Sequence, residues 1–377
     1  MEGAIRSENA TGVAINEDLH SPKHIPSLDG FRGMAALAVV VFHYLPHAGL
    51  RLFSPLISSG WTGVDAFLVL SGFLITGILY RQRETPRFFR NFYIRRALRL
   101  FPLYYFILLL ALFTSLFGGQ HWRLGHLGLL LYATNIVLAC DQSLGDLGTF
   151  NMRHCWTLAL EEQFYFVWPW IVGSRLSRRA LLRFCIAGVA FAVVLRFVLF
   201  FAGANRWWLA YSLFTRMDSL LIGAAIALIP LPQKRHAHWL LIGSVAIYAI
   251  LVAIGRTLFF TSPPILLLGY TVLAFFYASI LVLALHPETH VARFLSISPL
   301  RFLGRLSYGI YLWHYLLSAK EEALHKKISL AMHPQALASL SVFGIAFGLS
   351  VAIAFLSYRI IERPFLRLKE WFEGTRC

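Results

Sequence analysis

The chain has 377 residues, is 58% hydrophobic and carries only 14% Asp, Glu, Lys and Arg, with a mean hydropathy of +0.65. Soluble domains hold about 25% charged residues, so an ordinary soluble globule is excluded, and apolar runs of about 18–23 residues recur at the length that crosses a bilayer as a helix. The net charge of +16 does not indicate nucleic acid as a partner, because the positive residues lie between the apolar runs, as expected beside anionic lipid headgroups.

Residues 1–26 are polar and mixed in charge. They predict a cytoplasmic tail and not a cleaved signal peptide, with the first span, at 31–49, acting as an uncleaved anchor. That span holds Arg32 and His43, and every residue between them is apolar or glycine. Eleven helical steps return to within about 20° of the same face and rise about 16 Å. One helix therefore carries a cation at its mouth and an imidazole near mid-membrane. Ionisable groups at such depth are costly and usually functional, and the pattern suits a grip on an anionic donor with a base one cofactor arm deeper.

The second span, 61–80, has Asp65 near its outer end, either a charge at the helix start or a functional group. Loop 81–100 carries Arg81, Arg83, Arg87, Arg90, Arg95, Arg96 and Arg99, which places it in the cytoplasm. Arg96 and Arg99 share a helix face, and guanidinium bonds phosphate in planar, bidentate fashion. Simple anchoring to lipid is the plainer alternative. A third span covers 101–118. The run 124–140 is leucine-rich but contains His126 and Asn135. Cys140 and Cys155 flank the loop that follows, either as a disulfide in an oxidising compartment or as two thiols.

In the span 156–173, Glu161, Glu162 and Gln163 lie a turn or two inside an apolar helix, so they must face the bundle interior or a water-filled cavity. Glu161 is expected about 8 Å deep, within a short water bridge of His43 in a core about 30 Å thick. A His–Glu pair makes a general base, and a buried polar clamp is the alternative. Spans follow at 184–202, 208–229, 238–254, 264–285, 303–318 and 336–359. Arg216 and Asp218, two apart in the 208–229 span, do not face each other, so each should pair with another helix. Tyr308, Tyr311 and His314 follow one loosely helical face, the tyrosines as aromatic core or belt and His314 at an acceptor entrance.

Basic clusters in 81–100, 174–183, 230–237, 286–302 and from Arg359 onward are all cytoplasmic only if even numbers of crossings separate them. Three apolar runs lie between 100 and 174, so the weakest, 124–140, is assigned as re-entrant or interfacial. Loop 319–335, with Lys320, Lys326 and Lys327, falls outside and is the one exception. The expected fold is an all-α integral membrane protein of about ten transmembrane helices plus that one segment. It comprises a single membrane domain, 27–367, between cytoplasmic tails 1–26 and 368–377.

Seven motifs in order resemble the acyltransferase-3 family of integral-membrane acyltransferases over about residues 26–367. They are Leu28 to His43, Gly63-Val64-Asp65 to Phe73, Arg96-x-x-Arg99 with Pro102, Trp156 to Tyr165, Arg216-Met217-Asp218, Leu306 to His314, and Ile361-Glu362-Arg363-Pro364. The resemblance implies transfer of an acyl group, commonly acetyl from acetyl-CoA, to a hydroxyl of a carbohydrate or lipid-linked glycan on the outer side of a bacterial inner (plasma) membrane. It implies no metal. By position, Arg32 and His43 match the family's essential pair, Arg96 and Arg99 its cytoplasmic arginine motif, and Glu161 its membrane carboxylate. Thr157 stands where the family often has Ser. His43 and Glu161 are thus the expected catalytic residues, Arg32, Arg96 and Arg99 the acyl-CoA contacts, and Asp65, Tyr311 and His314 the acceptor contacts. Some members carry a fused C-terminal hydrolase-like domain; here such a partner is expected to be separate or absent. The rival class is a transporter or lipid flippase, whose buried Arg216, Asp218 and Glu161 would serve a moving solute.

Overall fold

Helix α1 (Pro26–Tyr44) begins with proline in its first turn and Asp29 facing the positive end of its dipole. Nine further long helices follow in the computed structural model: α2 (Gly63–Gln82), α3 (Phe88–Phe117), α4 (Trp156–Gly173), α5 (Arg178–Phe201), α6 (Leu213–Leu228), α7 (Lys234–Gly255), α8 (Tyr270–Leu285), α9 (Ser298–Leu316) and α10 (Gln335–Ser357). The structure describes residues 24–45, 50–117, 123–147, 150–316 and 334–368, together with 324, 325, 327 and 328. Most of both expected tails, and Lys320 and Lys326 of the exceptional loop, lie outside the described residues.

Seven segments, containing α2, α3, α5, α6, α7, α8 and α10, are long and apolar enough to cross a membrane. Helices α1, α4 and α9 are of spanning length, at 19, 18 and 19 residues, but carry ionisable side chains along their buried faces. Large apolar side chains point outward on the peripheral helices, among them Leu109, Phe113 and Leu116 on α3 and Ile242, Ile250 and Ile254 on α7. Such an outer surface suits hydrocarbon and not water. The basic helix ends meet at one end of the bundle: Arg83 donates to the Leu176 carbonyl, Arg178 to that of Leu228, and Lys234 pairs with Glu288.

Helix α3 begins well before the apolar run that announced it. Arg90, Arg95, Arg96 and Arg99 lie on this helix and not in the loop expected at 81–100. Arg, Ala and Leu favour helix, and Phe88, Phe92 and Leu100 bury one face of the extension. The 124–140 run, by contrast, breaks into short pieces, Leu124–His126, Leu127–Leu130 and Thr134–Cys140, none long enough to span. They form a cap at the end opposite the basic one, with a two-residue hairpin, β1 (Asp146–Leu147) antiparallel to β2 (Phe150–Asn151). Tyr104 donates to the Leu129 carbonyl at 2.7 Å, and Asn135 exchanges hydrogen bonds with Gln163 of α4. In the cap, Asp141 accepts from the Ser143 hydroxyl and backbone N–H, which hold its carboxyl below the ordinary range.

Glycine sets two helix crossings. A Cβ on Gly33 of α1 would lie 2.0 Å from the Leu300 carbonyl oxygen, and one on Gly304 of α9 would lie 1.8 Å from that of Asp29. Gly72 and Gly223 do the same for α2 against α6. Backbones touch here, the packing mode that substitutes for hydrophobic drive inside a bilayer.

The charges on these helices are sequestered in pairs. Arg216 of α6 bonds Asp65 of α2 at 2.8 Å, and Arg196 of α5 bonds Asp218 of α6 at 2.8 Å, all four at most 2% exposed. Ser219 also donates to Asp65, Thr271 to Asp218, and Arg216 stacks 3.5 Å over Tyr270. The expectation that Arg216 and Asp218 pair with other helices matches this arrangement. Asp65, expected to bind acceptor, is instead wholly buried (0% exposed) as the counter-charge of Arg216. Asp65→Asn should therefore cost about 3–5 kcal/mol, because it strands a buried guanidinium. The loss should register as a lower melting temperature of the detergent-purified protein; an unchanged melting temperature with lost activity would return Asp65 to a binding role.

Candidate active site

The inward faces of α1, α3, α4 and α9 enclose two polar regions, one above the other. The lower one is a cavity of about 90 Å³ at the basic end, lined by Arg32, Ser71, Arg96, Arg99, Thr157, Glu161, Ser307, Tyr308 and Tyr311, with Val64, Phe67, Leu100 and Leu158. That space is large enough for several waters.

Its three arginines are not equivalent. Arg96 bonds Glu162 through Nε at 3.2 Å, has Nη2 3.7 Å from Glu161 Oε2, and lies 3.7 Å over the Tyr165 ring. Tyr165 donates to Glu161 at 2.9 Å. Arg32 and Arg99 have no carboxylate within 4 Å among the described residues. Glu362, on a π-helical turn Tyr358–Glu362 that continues α10, is the acidic group facing Arg99 at longer range. Two guanidiniums without a carboxylate contact in one cavity have the chemistry to receive an anion.

The upper region is a cluster of rings. His43 lies 5.1 Å from His314 and 4.8 Å from Tyr315, and His154 lies 5.6 Å from His314 and 5.0 Å from Tyr315. Hydrogen-bond polarity assigns the tautomers. His314 Nδ1 is 2.7 Å from the Tyr311 carbonyl, and His43 Nδ1 is 2.8 Å from that of Val39. Carbonyls only accept, so both neutral rings carry their proton on Nδ1. His314 Nε2, 3.3 Å from His43 Nδ1, is then a second acceptor for the His43 proton. This leaves His43 Nε2 as a free lone pair. Among the described residues no group of three or more His, Cys, Asp or Glu side chains is placed to hold a metal ion.

Between the two regions stands a latch. The Tyr311 hydroxyl donates to the His154 carbonyl at 2.6 Å and accepts from Thr157 at 2.5 Å. Both latch residues also line the arginine cavity, and the Tyr311 ring lies 5.3 Å from that of His154 and 5.6 Å from that of His314, so this one side chain borders both regions.

The structure thus brings Arg32, Arg96, Arg99, Glu161 and Tyr311 together and puts His43 and His314 beyond the latch. Glu161, expected beside His43, sits instead with Arg96, because a buried guanidinium draws the nearest carboxylates and Thr157 and Tyr311 intervene. His314, expected at an acceptor entrance, is 0% exposed and bonded to His43. Asp65 is absent from both regions. His154 carried no periodic signal, since it sits on the short turn Arg153–Cys155 before α4; its only mark was adjacency to the Trp156–Tyr165 motif. Cys140 is exposed and Cys155 buried, both as free thiols, which resolves the loop between them as thiols and not a disulfide.

Residues 25–359 match a family model described as an acyltransferase domain. The O-acetyltransferase OatA of Staphylococcus aureus is 28% identical over 369 residues, covering 92% of this chain and 58% of that protein. The peptidoglycan O-acetyltransferase OatA of Listeria monocytogenes is 29% identical over 323 residues, 78% of this chain and 50% of that protein. The putative peptidoglycan O-acetyltransferase YrhL of Bacillus subtilis is 32% identical over 371 residues, 91% and 55% respectively. The chain thus spans between half and three fifths of the length of these relatives. No solved structure matches it. The chain belongs to the acyltransferase-domain family.

In a Cys377→Ser background, Cys140 should react with a water-soluble maleimide while Cys155 and Cys185 stay unlabelled until denaturation. Mass spectrometry of tryptic peptides reads this directly, and a Cys140 that labels only after reduction would restore the disulfide.

Proposed function

We propose that this member of the acyltransferase-domain family is a membrane O-acyltransferase. In this reading it moves an acyl group, acetyl in the first instance, from acyl-CoA on the cytoplasmic side to a hydroxyl of a carbohydrate or lipid-linked glycan on the outer side, with peptidoglycan the acceptor suggested by the relatives' names. All ten long helices span, the basic end faces the cytoplasm of a bacterial inner membrane, and both termini lie inside. The single observation that carries the reading is the pairing, on α1, of an uncommitted arginine in an anion-receptive cavity with a histidine about 16 Å along the same face, its Nε2 lone pair free.

Arg32 and Arg99 bind the donor's phosphates, while Arg96, clamped by Glu161 and Glu162, holds the cavity's shape. The donor's arm passes the Thr157–Tyr311 latch, which must part to let the thioester reach His43. The acceptor hydroxyl then loses its proton to His43 Nε2 as its oxygen attacks the thioester carbonyl. The carbon–sulfur bond breaks, and the proton passes from His43 to the departing thiolate. His314 Nε2 and the Val39 carbonyl stabilise the imidazolium through Nδ1, the part first expected of Glu161. His314 is therefore a positioning residue and not an acceptor contact.

Membranes incubated with labelled acetyl-CoA should transfer label to extracted glycan, which a carrier or flippase would not do. His43→Ala should abolish transfer with the protein still inserted. Arg99→Ala should raise the donor KM with kcat nearly intact; a pure loss of kcat would overturn its docking role. His314→Leu should lower kcat about 10–100-fold, as loss of an orienting partner does, with both KM values unchanged. A raised acceptor KM at full kcat would return His314 to acceptor binding.

A further inference from the structure

A second cavity, of about 320 Å³, lies in the half of the bundle nearer the basic end, walled by α5, α6, α7 and α8. It shares no lining residue with the arginine cavity, so the proposed acyl transfer does not use it. Its size falls within the range of about 300–1,000 Å³ typical of ligand sites. The lining is almost wholly hydrocarbon, with Leu221, Ala225, Ala278 and Val282 at its back. Ser279 spends its hydroxyl on the Phe276 carbonyl of its own helix, so the polar groups of the lining left to meet a ligand are the Cys185 thiol and, at the basic end, His236. Helix α5 packs on α6, and α7 on α8; between α5 and α7 the cleft opens sideways, where Ile186 and Leu240 are 60% and 41% exposed. That opening faces the surroundings that the outer surface of the bundle requires, namely acyl chains.

The rim at the basic end supplies the second half of a recognition site. Arg178 donates through Nε to the Leu228 carbonyl, beside Ile229 of the cleft lining. Its Nη2 is buried without a hydrogen-bond partner, although a guanidinium nitrogen shielded from water needs an acceptor. Arg235 lies at the start of α7, next to His236, whose side chain lines the cleft itself. Lys234, by contrast, is occupied by Glu288 at 3.3 Å.

We propose that this cleft binds an anionic phospholipid, with one acyl chain filling the apolar cavity and the headgroup phosphate drawn to the basic rim formed by Arg178 and Arg235. An apolar slot alone would accept any lipid chain; the cationic rim beside it selects the headgroup.

The test uses the full chain purified in detergent doped with phosphatidylglycerol or phosphatidylcholine and examined by native mass spectrometry. One phosphatidylglycerol should be retained under conditions that strip phosphatidylcholine. Ala278→Phe, which fills the cavity, should abolish retention in protein that still elutes as a single species. Arg178→Gln, at the half-buried rim, should weaken retention about five-fold, the loss expected of one cation at an anionic surface, and keeps the test decisive if Ala278→Phe does not fold. Equal retention of both lipids, or phosphatidylglycerol held undiminished by Arg178→Gln or by folded Ala278→Phe, would overturn the proposal. The readout contains no acyl transfer, so it stands or falls separately from the catalytic reading.

Discussion

A guanidinium can be buried among apolar helices only if something nearby answers its charge, and that requirement sorts the inward-facing arginines of this protein. Arg196 and Arg216 meet Asp218 and Asp65 in fully buried pairs, and Arg96 meets Glu161 and Glu162. Such pairs add little net stability, since desolvation offsets most of their attraction, but removing either partner is expensive. They act as registry pins between α2, α5 and α6 and between α3 and α4. Against that background Arg32 and Arg99 are distinct, because the same cavity supplies no carboxylate in direct contact with either. In the function proposed above, these two cations are the ones to which the ligand brings the missing charge.

The histidine cluster follows a comparable logic in hydrogen bonds. A chain of donors runs in one direction, from His43 Nδ1 to His314 Nε2 and from His314 Nδ1 to a backbone carbonyl. Because its end is a carbonyl, which only accepts, the direction propagates back and decides which His43 nitrogen is free. No carboxylate is needed for that orientation. Glu161 is correspondingly released to serve the arginine cavity, and the Thr157–Tyr311 latch stands between it and the rings.

Much of this was legible along single helices. The Arg32–His43 face and the inward carboxylates of 156–173 follow from the 3.6-residue repeat and the cost of exposing Glu161 to lipid, and the failure of 124–140 to span follows from the even number of crossings that the basic clusters require. The α4 boundaries coincide with that apolar run, Trp156–Gly173. The early start of α3 was not legible, because a run of arginines satisfies the positive-inside rule equally well as loop or as helix. His154 was invisible for another reason: it lies on a turn, where no periodicity operates.

The sequence by itself determined the membrane class, most helix positions, and the pairing of a cation with an imidazole on one face of α1. Only the tertiary structure decided who partners whom: Asp65 with Arg216, Glu161 with Arg96, and His314 with His43. Spacing within a helix is dictated by backbone geometry that every residue shares. Contacts between helices depend on rotation, depth and glycine-permitted approach, and these emerge only when all the faces are packed at once.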